Sequence, residues 1–175
     1  MGSTRASRRH PYYAVAREFG RIVGRDGRAA LMTGGGPGIM EAANRGAYEA
    51  GGISIGLNIK LPRDQMANRY LTPGLSLSFR YFALRKLHFL LRARAMVAFP
   101  GGFGTFDELF ETLTLVQCEK IAPMPIVLVR EEYWRRAVNM DFLAREGAIA
   151  RRDLRLFRYA EAPDEIWRAV APGLG

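Results

Sequence analysis

The chain has 175 residues, 49% apolar and 25% charged, an ordinary globular composition and enough length for one domain with a sizeable core. No run of about 18 apolar residues is present to cross a bilayer, and the N-terminus lacks the apolar stretch of a secretory signal. Net charge is +9, and all but three of the 26 basic residues are arginine. The single cysteine, Cys118, excludes an internal disulfide or a cysteine metal cluster, and with only His10 and His88 no metal site is expected. The cytoplasm is the compartment these features suggest. The positive charge raises the question of nucleic acid. The densest arginine groups, Arg5-Arg8-Arg9 and Arg151-Arg152-Arg155-Arg158, lack interleaved aromatic residues for base stacking, so we read them as dispersed surface charge.

In chain order, residues 1–11 read as a polar, basic loop. Tyr12 to Gly24 carries Tyr13, Ala16, Phe19 and Val23 at helical spacing. Ala29 to Met32 reads as a short buried strand. Thr33-Gly34-Gly35-Gly36-Pro37-Gly38 is a first glycine turn, followed by a helix over Ile39 to Ala50 that Gly51-Gly52 close. Ile53 to Leu57 is a strand. Asn58 to Ser78, with Pro62, Pro73 and Gly74, reads as a long irregular segment of the kind that often carries function. A helix over Phe79 to Arg94 places Tyr81, Arg85, His88 and Arg92 on one face. Met96 to Phe99 is a buried strand that Pro100 ends. The second glycine turn, Gly101-Gly102-Phe103-Gly104, leads into a helix from Thr105 to Gln117. A strand over Pro125 to Val129, a helix over Tyr133 to Arg145, a strand over Leu156 to Tyr159 and a helix over Pro163 to Ala171 complete the chain.

Alternating strands and helices predict an α/β fold, with a doubly wound parallel sheet and helices on both faces. With no repeat, linker or low-complexity tract, residues 1–175 read as one domain. Ligands in such folds bind at the carboxyl ends of strands, where both glycine turns fall. Gly34, Gly35 and Gly36 in one turn and Gly101, Gly102, Phe103 and Gly104 in the other are therefore candidate substrate-binding residues. Neither turn ends in the G-K-[ST] of a P-loop, and G-x-G-x-x-G fails at Ile39 and again at Asp107. A single phosphate at a helix N-terminus fits better than a dinucleotide. Thr105 stands where an N-cap belongs, with Glu108 three residues on. This predicts a capping box, and places Glu108 in the first turn where the helix dipole favours its ionised form.

Two motifs then carry a resemblance. Pro100-Gly101-Gly102-Phe103-Gly104-Thr105-Phe106-Asp107-Glu108 fits P-G-G-x-G-T-x-x-E, and Arg85-Lys86 fits its companion R-K. Together they resemble the LOG family, cytokinin riboside 5′-monophosphate phosphoribohydrolases often labelled lysine decarboxylases. Residues 33–43 and Gly56-Leu57-Asn58-Ile59-Lys60-Leu61-Pro62 resemble its long bacterial branch.

The resemblance implies a Rossmann-like homodimer that hydrolyses the N-glycosidic bond of a nucleoside 5′-monophosphate, AMP or an N6-modified AMP, with no metal or organic cofactor. It puts Arg85 and Glu108 in the positions of the catalytic pair. Lys86, residues 102–107 (including Thr105, Phe106 and Asp107) and Thr114 take substrate-contacting positions. The decarboxylase label implies a pyridoxal cofactor and a Schiff-base lysine; only Lys86 lies near a motif. The alternative is a non-catalytic nucleotide- or molybdenum-cofactor-binding carrier of the same fold.

Family members begin with an apolar strand ending in G-S-x-R. Here Gly2-Ser3-Thr4-Arg5 has only Met1 before it, so the central first strand reads as truncated. Two expectations follow: that Gly2 to Arg5 lies beside the phosphate site without an anchor, and that the reading frame extends upstream by an apolar strand of about five to ten residues.

Overall fold

The computed structural model describes residues 1–60 and 66–174. Helix α1 (Pro11–Asp26) starts where the His10 ring accepts the Tyr12 amide and Pro11 supplies a pre-set first position. It stops at Gly27, which is left-handed at φ 74°. Strand β1 (Leu31–Thr33), helix α2 (Ile39–Glu49) and strand β2 (Ser54–Ile59) follow.

The segment expected to be irregular contains a strand, β3 (Ser76–Phe79), parallel to β2 with Gly56 opposite Ser76. Its side chains are mostly exposed, so no buried apolar run marks it in the sequence. Leu61 and Pro62 of that segment lie outside the described residues. Because Phe79 belongs to β3, helix α3 begins later than expected, at Phe82, and runs to Arg92. Strand β4 (Met96–Ala98), helix α4 (Phe103–Gln117) and strand β5 (Ile126–Val129) come next.

The helix expected over Tyr133 to Arg145 is two, α5 (Glu131–Ala137) and α6 (Met140–Arg145). The break falls at Val138-Asn139, where the Asn139 side chain accepts the Phe142 amide at 2.9 Å and caps the second helix. Strand β6 (Arg158–Ala160) and helix α7 (Pro163–Val170) close the fold.

Among the described residues all four strand pairings are parallel, as expected of a doubly wound sheet, but they form two halves, β1-β2-β3 and β4-β5-β6. Strand β5 shows why helices cover both faces. Val127 and Val129 pack into a core with α1, α2 and α7, while Ile126 and Leu128 pack with Leu109, Val116 and Trp134 from α4 and α5. A strand with every residue buried is the signature of that arrangement.

Between the halves lies a cavity of about 720 Å³, lined by Leu31 and Met32 on one side and Met96 and Val97 on the other. Met1 reaches into it. The Met1 amino group donates to the Val97 carbonyl at 2.8 Å, and the Phe99 amide donates to the Met1 carbonyl at 2.9 Å. Burial lowers the pKa of that amino group.

Candidate functional site

Both glycine turns sit at the carboxyl ends of strands, β1 and β4, and lead into α2 and α4. Contrary to the expectation that Gly2 to Arg5 is unanchored, Ser3 joins the two turns. Its amide donates to the Pro100 carbonyl and its carbonyl accepts the Ile39 amide, each at 3.0 Å. The first turn needs Gly38, which has φ +70° and presses on the Ser3 and Thr4 backbone so closely that no side chain would fit. In the second turn a side chain on Gly101 would collide with Thr105.

Helix α4 begins at Phe103 with Gly102 as N-cap and no side-chain cap, so the capping box expected from Thr105 and Glu108 is not formed. The glycine turn winds into helix two residues early. Thr105 is thereby inside the first turn, buried against Gly101, and Glu108 stands in the second turn facing α3. There Arg85 Nη2 donates to Glu108 Oε1 at 2.7 Å, with both side chains nearly out of solvent.

Burial pushes the Glu108 carboxyl above its ordinary pKa, against the opposing pull of the Arg85 charge and of the Met1 amino group. The helix dipole, expected to favour the ionised form of Glu108, does not set this shift: the carboxyl is beyond the first turn, where that field has faded, and desolvation outweighs it. Glu108 Oε2 and Arg85 Nε are buried with no hydrogen-bond partner among the described residues. The guanidinium is steadied by the rings of Phe82 and Phe89, at 5.4 and 5.6 Å. Arg85 Nη1 lies 3.8 Å from where a side chain on Gly34 would begin, so this pair also faces the first turn.

The other expected residues are distributed differently. Lys86 Nζ bonds Asp107 at 2.9 Å and Glu111 at 3.1 Å, and the Asp107 bond raises its pKa. Phe103 is 96% exposed at the head of α4. Phe106 turns into the core against Trp134, ring centres 5.3 Å apart. The Gly35 amide is already taken by the Thr33 hydroxyl at 2.9 Å, whereas no described residue accepts from Gly36. Thr114 lies apart, about 16 Å along α4 from Phe103 at the helical rise, with its hydroxyl donating to the Phe110 carbonyl.

Two supporting residues were missed from the sequence. The Asn68 side chain donates to the carbonyls of Gly35 and Gly36 at 3.0 and 3.2 Å and to Asn44 at 3.0 Å. Asn44 is fully buried and also bonds Thr33 and Ser54. Asn44 could have been found as a polar residue on the buried stripe of α2. Nothing near Asn68 in the sequence points to its role. Among the described residues, no group of His, Cys, Asp and Glu is placed to hold a metal ion, and no helix is long and apolar enough to cross a membrane.

A family model described as "Possible lysine decarboxylase" matches residues 40–170. A probable cytokinin riboside 5′-monophosphate phosphoribohydrolase of Oryza sativa subsp. japonica is 29% identical over 143 residues, covering 79% of this chain. The chain spans 56% of that relative's length. Among solved structures, a molybdenum cofactor binding protein from Rippkaea orientalis aligns at 22% identity and TM-score 0.63, covering 96% of this chain and 89% of its own. The molybdenum cofactor carrier protein of Chlamydomonas reinhardtii aligns at 22% identity and TM-score 0.65, covering 99% and 93%. At these identities the structural likeness speaks for the fold. Taken with the motif pair and the match over residues 40–170, it follows that the chain belongs to the LOG family.

Proposed function

We propose that this protein hydrolyses the N-glycosidic bond of a nucleoside 5′-monophosphate, AMP or an N6-modified AMP, releasing the free base and ribose 5-phosphate. The observation that carries this reading is the buried Arg85–Glu108 pair with one carboxylate oxygen, Oε2, left without a partner among the described residues. An unpaired buried oxygen costs about 1–3 kcal/mol in a folded protein, and a substrate or water hydroxyl would satisfy it.

Breaking a ribosyl bond builds positive charge on the sugar. Glu108 stabilises that charge and, with its raised basicity, accepts a proton from the attacking water as the new C–O bond forms; the C1′–N bond breaks with its electron pair on the base, which takes its proton from solvent. Arg85 carries a guanidinium, which donates hydrogen bonds and is not a general acid. It therefore orients Glu108 and bonds the substrate rather than protonating the departing base. The amides of Gly36, Gly102, Phe103 and Gly104 hold the phosphate, whose binding energy positions the sugar. No step calls on a metal or organic cofactor.

The decarboxylase description of the family model is not adopted. A Schiff-base lysine is activated by a lowered pKa, and the bonds from Asp107 and Glu111 raise that of Lys86. A carrier of the same fold would bind its ligand and release it unchanged. Incubation with a panel of nucleoside 5′-monophosphates, following free base by chromatography, separates the two. Release of adenine or a modified adenine with equimolar ribose 5-phosphate is the expected result; binding without release would exclude the hydrolase. We further propose that the protein works as a homodimer in the cytoplasm.

A further inference from the structure

The second glycine turn has a definite polarity. In a trans peptide, a carbonyl and the amide that follows it point in opposite directions. A protein that holds the carbonyl on one side therefore delivers the amide to the other. The Pro100 carbonyl is held by the Ser3 amide at 3.0 Å, and the Gly102 carbonyl accepts from Thr105 and Phe106 at 2.9 and 3.2 Å. Between them, the Gly101 carbonyl accepts from the Tyr133 hydroxyl at 2.6 Å. No described residue accepts from the amides of Gly102, Phe103 or Gly104.

The Gly101–Gly102 peptide has glycine on both sides, so no Cβ restrains its rotation. Its orientation depends on what holds the carbonyl. Tyr133 is well placed for this. Its ring meets Trp134 edge to face at 5.3 Å and 88°. Trp134 is fixed in turn by donating to the Val129 carbonyl at 2.9 Å and by packing on Phe106. A rigid element from the neighbouring strand unit thus holds the Gly101–Gly102 peptide.

We propose that Tyr133 is a positioning residue of the anion site: its hydroxyl draws the Gly101 carbonyl inward and so turns the Gly102 amide toward the substrate phosphate. The identity of that anion rests on the hydrolase reading above. Tyr133 does not touch the reacting atoms, so its effect belongs on phosphate affinity and not on the chemical step.

The test is Tyr133→Phe, which deletes the hydroxyl and keeps the ring. In the full chain, the dissociation constant for inorganic phosphate and the KM for AMP should rise about five- to tenfold, the usual worth of one hydrogen bond. The kcat on AMP should stay within about twofold. In amide NMR spectra, phosphate should shift the Gly102 resonance strongly in the wild type and weakly in the variant. Unchanged phosphate affinity and KM would overturn the proposal, as would a fall in kcat with KM unmoved. If the wild type binds phosphate and AMP but releases no base, the hydrolase reading fails, and the phosphate affinities of the two proteins still decide the role of Tyr133. A wild type that binds neither overturns both.

Discussion

Glu108 and Arg85 form a pair that stability alone does not favour, because two charges taken out of water recover their desolvation only with complete hydrogen bonding. Here Oε2 and Nε have no partner among the described residues, which is what a site awaiting a substrate would show. Glu108→Gln should keep the fold and phosphate binding and lose about 100-fold or more in kcat on AMP; Arg85→Ala should do the same. Wild-type turnover by Glu108→Gln would remove Glu108 from the mechanism. The raised pKa gives this residue a pH signature. Turnover needs the carboxylate, so kcat/KM should fall as pH drops through a value above the ordinary carboxyl range of about 4.3. Stability runs the other way. The folded carboxyl binds its proton more tightly than the unfolded one, so its contribution is full below the unfolded pKa and is lost as pH rises through the folded pKa. The melting temperature of wild type minus that of Glu108→Gln should therefore decline across that window. The free amides of the glycine turns add one more expectation: adenosine, which lacks the phosphate, should be cleaved far more slowly than AMP, and equal kcat/KM for both would remove the phosphate site.

Among the elements, α3 and α4 divide the work differently from what their sequences suggest. Helix α4 keeps its apolar residues inside the chain: Leu109 and Val116 are buried and Phe106 packs on Trp134. Helix α3 is the one left uncovered: it buries no residue, and Phe82, Leu84, Leu87 and Leu91 are all exposed. Under the homodimer proposal, this apolar helical face is where a second copy would pack. Light scattering at micromolar concentration should give twice the 19.6 kDa of one chain. Leu87→Glu combined with Leu91→Glu should return it to one chain's mass. A wild-type monomer would leave α3 without that partner.

For the whole molecule, the decisive feature is the split sheet. Parallel ladders use alternate residues, so Leu31 serves β2 while Met32 turns its backbone toward the cavity; on the far side Val97 does the same, and among the described residues it is bonded there only at its carbonyl, by Met1. Each ladder group left without a partner there costs about 1–3 kcal/mol. An N-terminal extension of about six apolar, β-branched residues, the length of an ordinary strand, should enter beside β4, raise the melting temperature and slow hydrogen exchange in β1 and β4. A proline-rich extension of equal length should do neither. If both extensions behave alike, the two half-sheets are stable as they stand.

The sequence by itself determined the parallel α/β character and both glycine turns, because alternation of buried strands with helices and glycine-dense turns are local signals; that Arg85 and Glu108 belong together was implied only by the family resemblance of their two motifs. It could not locate β3, whose exposed side chains leave no apolar run, nor the break at Asn139, a capping choice inside an otherwise helical stretch. It also misplaced the start of α4 and with it the setting of Glu108. A capping box is a local pattern. Only the packed fold decided that Thr105 would sit buried against Gly101 and that Glu108 would lose its water to Arg85. Asn68 and Tyr133 became legible only in three dimensions, since each acts on a glycine carbonyl more than 30 residues away in the chain, and no spacing rule reaches that far.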